Sequence, residues 1–133
     1  KRNMNLKNIT FTGSLPKREM PGILAASDVC LATLMDIPMF KTTYPNKVFD
    51  YMAAGRPTIL AIDGVIRDVI ESSKGGIFVK PGDAAALADA IAYLHNQPQE
   101  AKSMGASARR YVEEHFNRNH QARQFIDLID SVK

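Results

Sequence analysis

Two spacings of apolar residues alternate along this chain of 133 residues. Short apolar runs with β-branched members fall at 9–12, 29–34, 58–62 and 77–79, and their length predicts strands. The run at 29–34 is continuous, which suits a strand covered on both faces. Between these runs, apolar residues three and four apart predict helices. One helix covers 17–27, with Pro21-Gly22 interrupting its pattern. Residues 35–44 read as a polar, proline-containing loop. A second helix starts at Pro45, runs for about nine residues and ends at Gly55 and Pro57. A third covers 65–73 and is closed by Gly75-Gly76.

The C-terminal part is helical in pattern. Asp83 can cap a helix over 84–96, because its side chain accepts from exposed first-turn N–H groups. Pro98 opens another helix to about His115, and a last one covers 119–132. Leu87, Ala90, Ile91 and Leu94 form one stripe, and Ala122, Phe125, Ile126 and Ile129 form another. Both are expected to pack onto the sheet.

Strand–helix alternation with buried strands predicts an α/β fold, a Rossmann-like parallel sheet with helices on both faces. Ligands of such sheets bind beyond the carboxyl ends of the strands. The loops after Thr12, Leu34 and Ile62 leave predicted strands at that edge. The Gly13-Ser14 turn and the loop 42–47 should therefore face one crevice.

The helix from Pro45 separates two faces. Val48, Phe49, Met52 and Ala53 share one, and Lys47, Asp50, Tyr51 and Ala54 share the other. A cation, a carboxylate and a phenol thus lie near a helix N-terminus, where unpaired N–H groups and a partial positive charge suit a phosphate. The N–H groups of Asn46, Lys47 and Val48 are candidates for holding a diphosphate, with the Lys47 ammonium as added charge. Thr42, Thr43 and Tyr44 lead into that site, and the threonine hydroxyls and the Asn46 amide add polar contacts. Asp50, one turn in, can accept from hydroxyls of a ligand; its bland role is a favourable helix charge of ~0.3–1 kcal/mol. No G-x-G-x-x-G follows a strand and no G-x-x-x-x-G-K-[ST] occurs, so dinucleotide cofactors and P-loop chemistry have no support.

The segment Asp50-Tyr51-Met52-Ala53-Ala54-Gly55-Arg56-Pro57 resembles the end of the donor-site signature of retaining GT-B glycosyltransferases of the group 1 type. Three further segments are similar to that family in the same order: Asn8-Ile9-Thr10-Phe11-Thr12-Gly13, Leu24-Ala25-Ala26-Ser27-Asp28-Val29-Cys30-Leu31, and Gly75-Gly76-Ile77-Phe78-Val79-Lys80-Pro81-Gly82-Asp83. The resemblance implies the C-terminal, donor-binding half of a GT-B fold. It implies that Asp50 holds the ribose, that Ser14 beside Gly13 approaches the base, and that the substrate is a UDP- or GDP-linked sugar with no separate cofactor. The family's first motif Glu, which meets the donor sugar, falls at Thr42, and a frequent family Gly falls at Pro45. The family's diphosphate-binding Arg and Lys, earlier in the donor domain, have no counterpart here. No metal is expected, because the family neutralises the diphosphate with protein groups, and His95, His115 and His120 have no ligand spacing.

Composition narrows the rest. Net charge is +3, with basic residues interleaved among acids, as in Arg109-Arg110-Tyr111-Val112-Glu113-Glu114, which is a solvated helix face and not a nucleic-acid stripe. The lone Cys30 sits in an apolar stretch and reads as core in a reducing compartment. No apolar run approaches the ~20 residues that span a bilayer. The expected protein is cytoplasmic, with peripheral contact at the inner face of the membrane as an option. Starting at Lys1, it is expected to be a piece of a longer enzyme whose N-terminal domain holds a saccharide or lipid-linked acceptor. The expected function is sugar transfer with retention in cell-surface polysaccharide or lipopolysaccharide assembly. A non-catalytic nucleotide-binding module and a GT-B sugar-nucleotide epimerase are the alternatives.

Overall fold

The computed structural model describes residues 6–132. Among these residues the sheet has three parallel strands, β1 (Cys30–Thr33), β2 (Thr58–Ala61) and β3 (Gly76–Phe78), in that spatial order. Cys30 lies opposite Thr58, and Thr58 opposite Gly76. The helices are α1 (Met20–Ala26), α2 (Pro38–Lys41), α3 (Asn46–Ala53), α4 (Val65–Ser73), α5 (Ala84–Asn96), α6 (Pro98–His115) and α7 (Arg118–Ser131). A 3-10 turn at Lys17–Glu19 precedes α1, so the helix expected over 17–27 is divided at the residues before Pro21.

Helices cover both faces of the sheet. On one, Ala32, Leu60 and Ile62 pack with Val48 and Met52 of α3, Ile66, Val69 and Ile70 of α4, and Ala108 of α6. On the other, Ile59, Ala61 and Val79 pack with Ala90 and Leu94 of α5 and Ala101 of α6. The Asp83 cap is present: its carboxylate accepts from the Ala86 N–H at 2.9 Å.

Several expectations need correction. Residues 9–12 form no strand, and Ile9 and Phe11 are 49% and 93% exposed. In the doubly wound order, the strand before the central crossover lies two strands away from the one after it. Residues 9–12 pair with neither β1 nor β3, the two edge strands of the described sheet. The face of β1 that carries Cys30 and Ala32 is buried, whereas Leu31 and Thr33 on the other face are exposed. The loop 35–44 contains α2, opened by Pro38 at its first turn. Pro45 is the cap residue of α3, which has eight helical residues; its carbonyl accepts from the Val48 N–H at 3.0 Å. Ala53 is exposed, although the periodicity groups it with the buried Val48 and Met52. Ile91 is likewise 43% exposed, at the margin of the α5 stripe.

The expected packing of the last stripe also fails. Phe125, Ile126 and Ile129 of α7 are 64%, 56% and 44% exposed. The helices that build the two cores are α3, α4, α5 and α6, and neither core includes a residue of α7. Asn117 starts this helix by accepting from the N–H groups of Asn119 and His120.

Glycine does different work from the helix closure expected of it. Lys74, with φ 51°, takes the left-handed position after α4, and the Gly75 N–H returns to the Ile70 carbonyl. Gly76 is required for strand contact, since a Cβ there would lie 1.9 Å from the Thr58 carbonyl oxygen. Gly76→Ala should therefore lower unfolding free energy by about 1–3 kcal/mol or more, the cost of forcing an overpacked contact, measured by urea denaturation.

Cys30 is buried, as its apolar context suggests. Burial pushes its thiol up, and the charge of Arg56 offsets this only in part. The folded chain should hold the thiol proton at a pH where the unfolded chain has lost it. Stability should then fall as pH rises past the ordinary thiol value of about 8.5. Iodoacetamide should alkylate Cys30 far faster in urea than in buffer at pH 8, followed by mass spectrometry.

Candidate functional site

The amino end of α3 sits at the carboxyl edge of the sheet. The Lys47 ammonium donates to the Thr33 carbonyl, the last residue of β1, at 3.3 Å. Val48 and Met52 anchor the helix in the core with no exposed surface. At its other end, Gly55 and α6 meet backbone to backbone: a Cβ on Gly105 would lie 2.1 Å from the Gly55 carbonyl oxygen. Aromatic rings fix the same pair of helices, with Phe49 and Phe116 centroids 4.8 Å apart. The position of α3 is thus set by its buried face and by contacts at both ends.

Of the diphosphate-directed N–H groups, two remain available. Val48 is occupied by the Pro45 carbonyl, whereas those of Asn46 and Lys47 have no hydrogen-bond acceptor among the described residues. The Asp50 carboxylate is exposed and makes no hydrogen bond or ion pair there. Asn46, Phe49 and Asp50 line a hollow of about 400 Å³ together with Lys17, Val112, Phe116, Arg118 and Gln121. Lys17 and Arg118 bring two cations to a site that the sequence reading left short of them. Their distance from Asp50 along the chain hid this. Lys47 points to the end of β1 and is not among the residues lining that hollow.

The loop before α3 is tied back on itself. The hydroxyls of Thr42 and Thr43 both donate to the Met39 carbonyl, at 3.3 and 3.0 Å. Their protons are committed, so toward a ligand these oxygens act as acceptors. The Tyr44 ring is half exposed and tilts against Phe49 with centroids 6.1 Å apart. Burial pushes the Tyr51 phenol up, with the Cys30 thiolate, where that thiol has ionised, and the Asp50 carboxylate adding to it, so near neutral pH the phenol is uncharged and covers the core. Gly13 has φ 68° with open space around it, and Gly13 and Ser14 are exposed. Because residues 9–12 form no strand, the premise that placed this turn at the sheet edge does not hold.

A second hollow of about 620 Å³ lies at the carboxyl ends of the strands, lined by Thr33, Leu34, Met35, Asp36, Phe40, Pro81 and Gly82. The segment Lys80-Pro81-Gly82-Asp83 carried part of the family resemblance, but nothing in its spacing marked it as a lining segment. A cavity of about 510 Å³ lies instead at the amino ends of the strands, between Val29, Pro57, Leu94 and Ala101. It faces away from the start of α3. The carboxyl edge is the better site because parallel sheets present their loops and helix N-termini there. Among the described residues no three His, Cys, Asp or Glu side chains gather as a metal would require, and no helix is long and apolar enough to cross a membrane.

Comparison with known proteins gives a consistent picture. The chain is 27% identical over 131 residues to WcaL of Salmonella typhimurium, a glycosyltransferase assigned to colanic acid biosynthesis, covering 93% of this chain and 31% of that protein. It is also 27% identical to a trehalose synthase of Pyrococcus horikoshii, over 96% of this chain and 29% of the other. The chain therefore spans about a third of the length of these relatives. Among solved structures, sucrose-phosphate synthase from Thermosynechococcus elongatus superposes with a TM-score of 0.77 at 27% identity, over 92% of this chain and 30% of that one. Anabaena HepE in complex with UDP-glucose superposes with a TM-score of 0.73 at 20% identity, over 85% of this chain and 30% of that one, which shows the shared GT-B fold. The family model described as "Glycosyl transferases group 1" matches residues 1–97. With most of its length matched and the α/β architecture in agreement, the chain belongs to the group 1 glycosyltransferase family.

Proposed function

We propose that this chain is the C-terminal, donor-binding part of a retaining glycosyltransferase that takes sugar from a nucleoside diphosphate. The observation that carries the reading is the start of α3. Two free N–H groups, at Asn46 and Lys47, and one free carboxylate, Asp50, lie within two helical turns at the carboxyl edge of a parallel sheet. Transfer requires that charge developing on the leaving diphosphate be met by fixed donors. The Asn46 and Lys47 N–H groups, the helix dipole and the cations of Lys17 and Arg118 supply them. Asp50 accepts from the ribose hydroxyls. UDP-glucose in the HepE structure supports a uridine-linked donor, and WcaL supports a role in cell-surface polysaccharide assembly. The acceptor, a saccharide or a lipid-linked saccharide, is held by a further domain, as the threefold greater length of the relatives supports.

One observation favours the alternative of a nucleotide-binding module that does not transfer. Thr42 stands where the family has a carboxylate, and its hydroxyl is bound to Met39. Product analysis separates the two.

Titration calorimetry with UDP and GDP should show binding to the chain. Asp50→Asn should weaken it about tenfold or more, since a hydrogen bond to a charged group is worth ~1.5–3 kcal/mol. The thermal midpoint should stay close to that of the parent, because Asp50 is exposed and unpaired. Equal affinity for variant and parent would leave Asp50 with the helix-charge role.

The chain by itself should transfer no sugar, since catalysis needs both reactants held together. Incubation with labelled UDP-glucose and saccharide acceptors should give no multiple-turnover product.

A further inference from the structure

We propose that Gly64 is a positioning residue for the nucleotide-sugar site, and this rests on the donor-binding reading above. Gly64 caps α4 with φ 96° and ψ −151°, a conformation essentially reserved for glycine. It also lies against the backbone of Lys41, the last residue of α2. A Cβ at position 64 would stand 2.0 Å from the Lys41 carbonyl oxygen, 2.5 Å from its Cα and 2.6 Å from its carbonyl carbon. Every one of these atoms is backbone, so no side-chain rotation relieves the contact. The turn after β2 and the end of α2 therefore touch main chain to main chain.

That contact is one of two anchors on the segment between β1 and α3. At the far end, the Lys47 ammonium holds the start of α3 to the Thr33 carbonyl. At the near end, Gly64 fixes Lys41, whose ammonium also pairs with Asp36 at 3.5 Å. Between them, Thr42 and Thr43 hang from the Met39 carbonyl, and the Thr43 N–H donates to the Phe40 carbonyl at 3.3 Å. The loop holds its shape through α2, and α2 is held in place through Gly64. A methyl group at 64 has to push α2 away, by about 1 Å or more before ordinary carbon contact distances are restored. Residues 42–47 move with α2, so the free N–H groups of Asn46 and Lys47 lose their alignment toward a ligand. Gly64 contacts none of the proposed ligand groups itself; it acts through Lys41.

The test compares Gly64→Ala with Gly76→Ala. A Cβ at Gly76 would lie 1.9 Å from the Thr58 carbonyl oxygen, so this variant also forces backbone apart, but between β2 and β3. It therefore destabilises the fold without pushing on Lys41. Hydrogen exchange on the unliganded chain should speed up over residues 36–47 in Gly64→Ala and stay at the parent rate there in Gly76→Ala. UDP affinity, measured on folded protein, should fall about tenfold or more in the first and stay within about threefold in the second. A role in stability alone predicts a lower melting temperature with unchanged affinity, and that result overturns the proposal. Equal loss of affinity in both variants also overturns it. If Gly64→Ala does not fold, one glycine inserted between Lys41 and Thr42 breaks the same coupling and leaves α4 intact. Unchanged UDP affinity in that insertion variant is a refutation, and a tenfold loss supports the proposal. If the parent chain binds no UDP, the donor-binding reading fails, and the exchange rates over 36–47 alone decide whether Gly64 is the anchor.

Discussion

Leu60 of β2 and Ile62 just beyond it point into one core while Ile59 and Ala61 point into the other, and all four are withdrawn from water. The strand has no solvated face and no free edge, since β1 and β3 take its hydrogen bonds on either side. This two-sided burial is the constraint from which the other positions follow. A strand buried on both faces needs a helical layer on each, and α3, α4 and α5 dock where its side chains direct them. It also needs neighbours that come close, which is why Gly76 faces the Thr58 carbonyl with no room for a side chain.

The candidate site inherits its geometry from that arrangement. Because the sheet is parallel, the carboxyl ends of the three strands share one edge, and the segments leaving them are neighbours in space. The segment from β1 climbs through α2 into α3, and the segment from β2 turns at Gly64 into α4. Their backbones meet at Lys41 and Gly64. The helix N-terminus at Asn46 is held by apolar anchors below and ring contacts behind, with its free N–H groups uncovered. Preorganisation of this kind suits the binding of an anion, since no reorganisation is needed when charge arrives.

Phe125, Ile126, Leu128 and Ile129 of α7 are exposed apolar side chains on one helix. By the end of α6 each sheet face has its helices. The Phe49–Phe116 contact closes the layer near α3, and the Asn117 cap then turns the chain away. The stripe on α7 is regular in sequence, but regularity states only that a helix has an apolar side. It does not name the surface that meets it.

That difference separates what the sequence determined from what tertiary structure decided. Alternating short apolar runs and amphipathic stretches specified the α/β class, the three strands that formed and the extents of α4, α5 and α6, because local burial pattern and caps such as Asp83 act over a few residues. The segment 45–57 also bounded α3, since Pro45 and Gly55 act locally, and the proposal that its start takes an anion begins there. Residues 9–12 have as good a strand pattern as 77–79, yet only the latter pairs with β2, and pairing depends on a neighbour outside the segment. Val48 and Asp50 looked equally available within one helix turn. The bond to Pro45 removed the first, and packing left the second open beside Lys17 and Arg118, residues far away in the chain. The roles of Gly64 and Gly76 were invisible for the same reason: a glycine required by the approach of another backbone carries no local signal, and that approach exists only once the chain is folded.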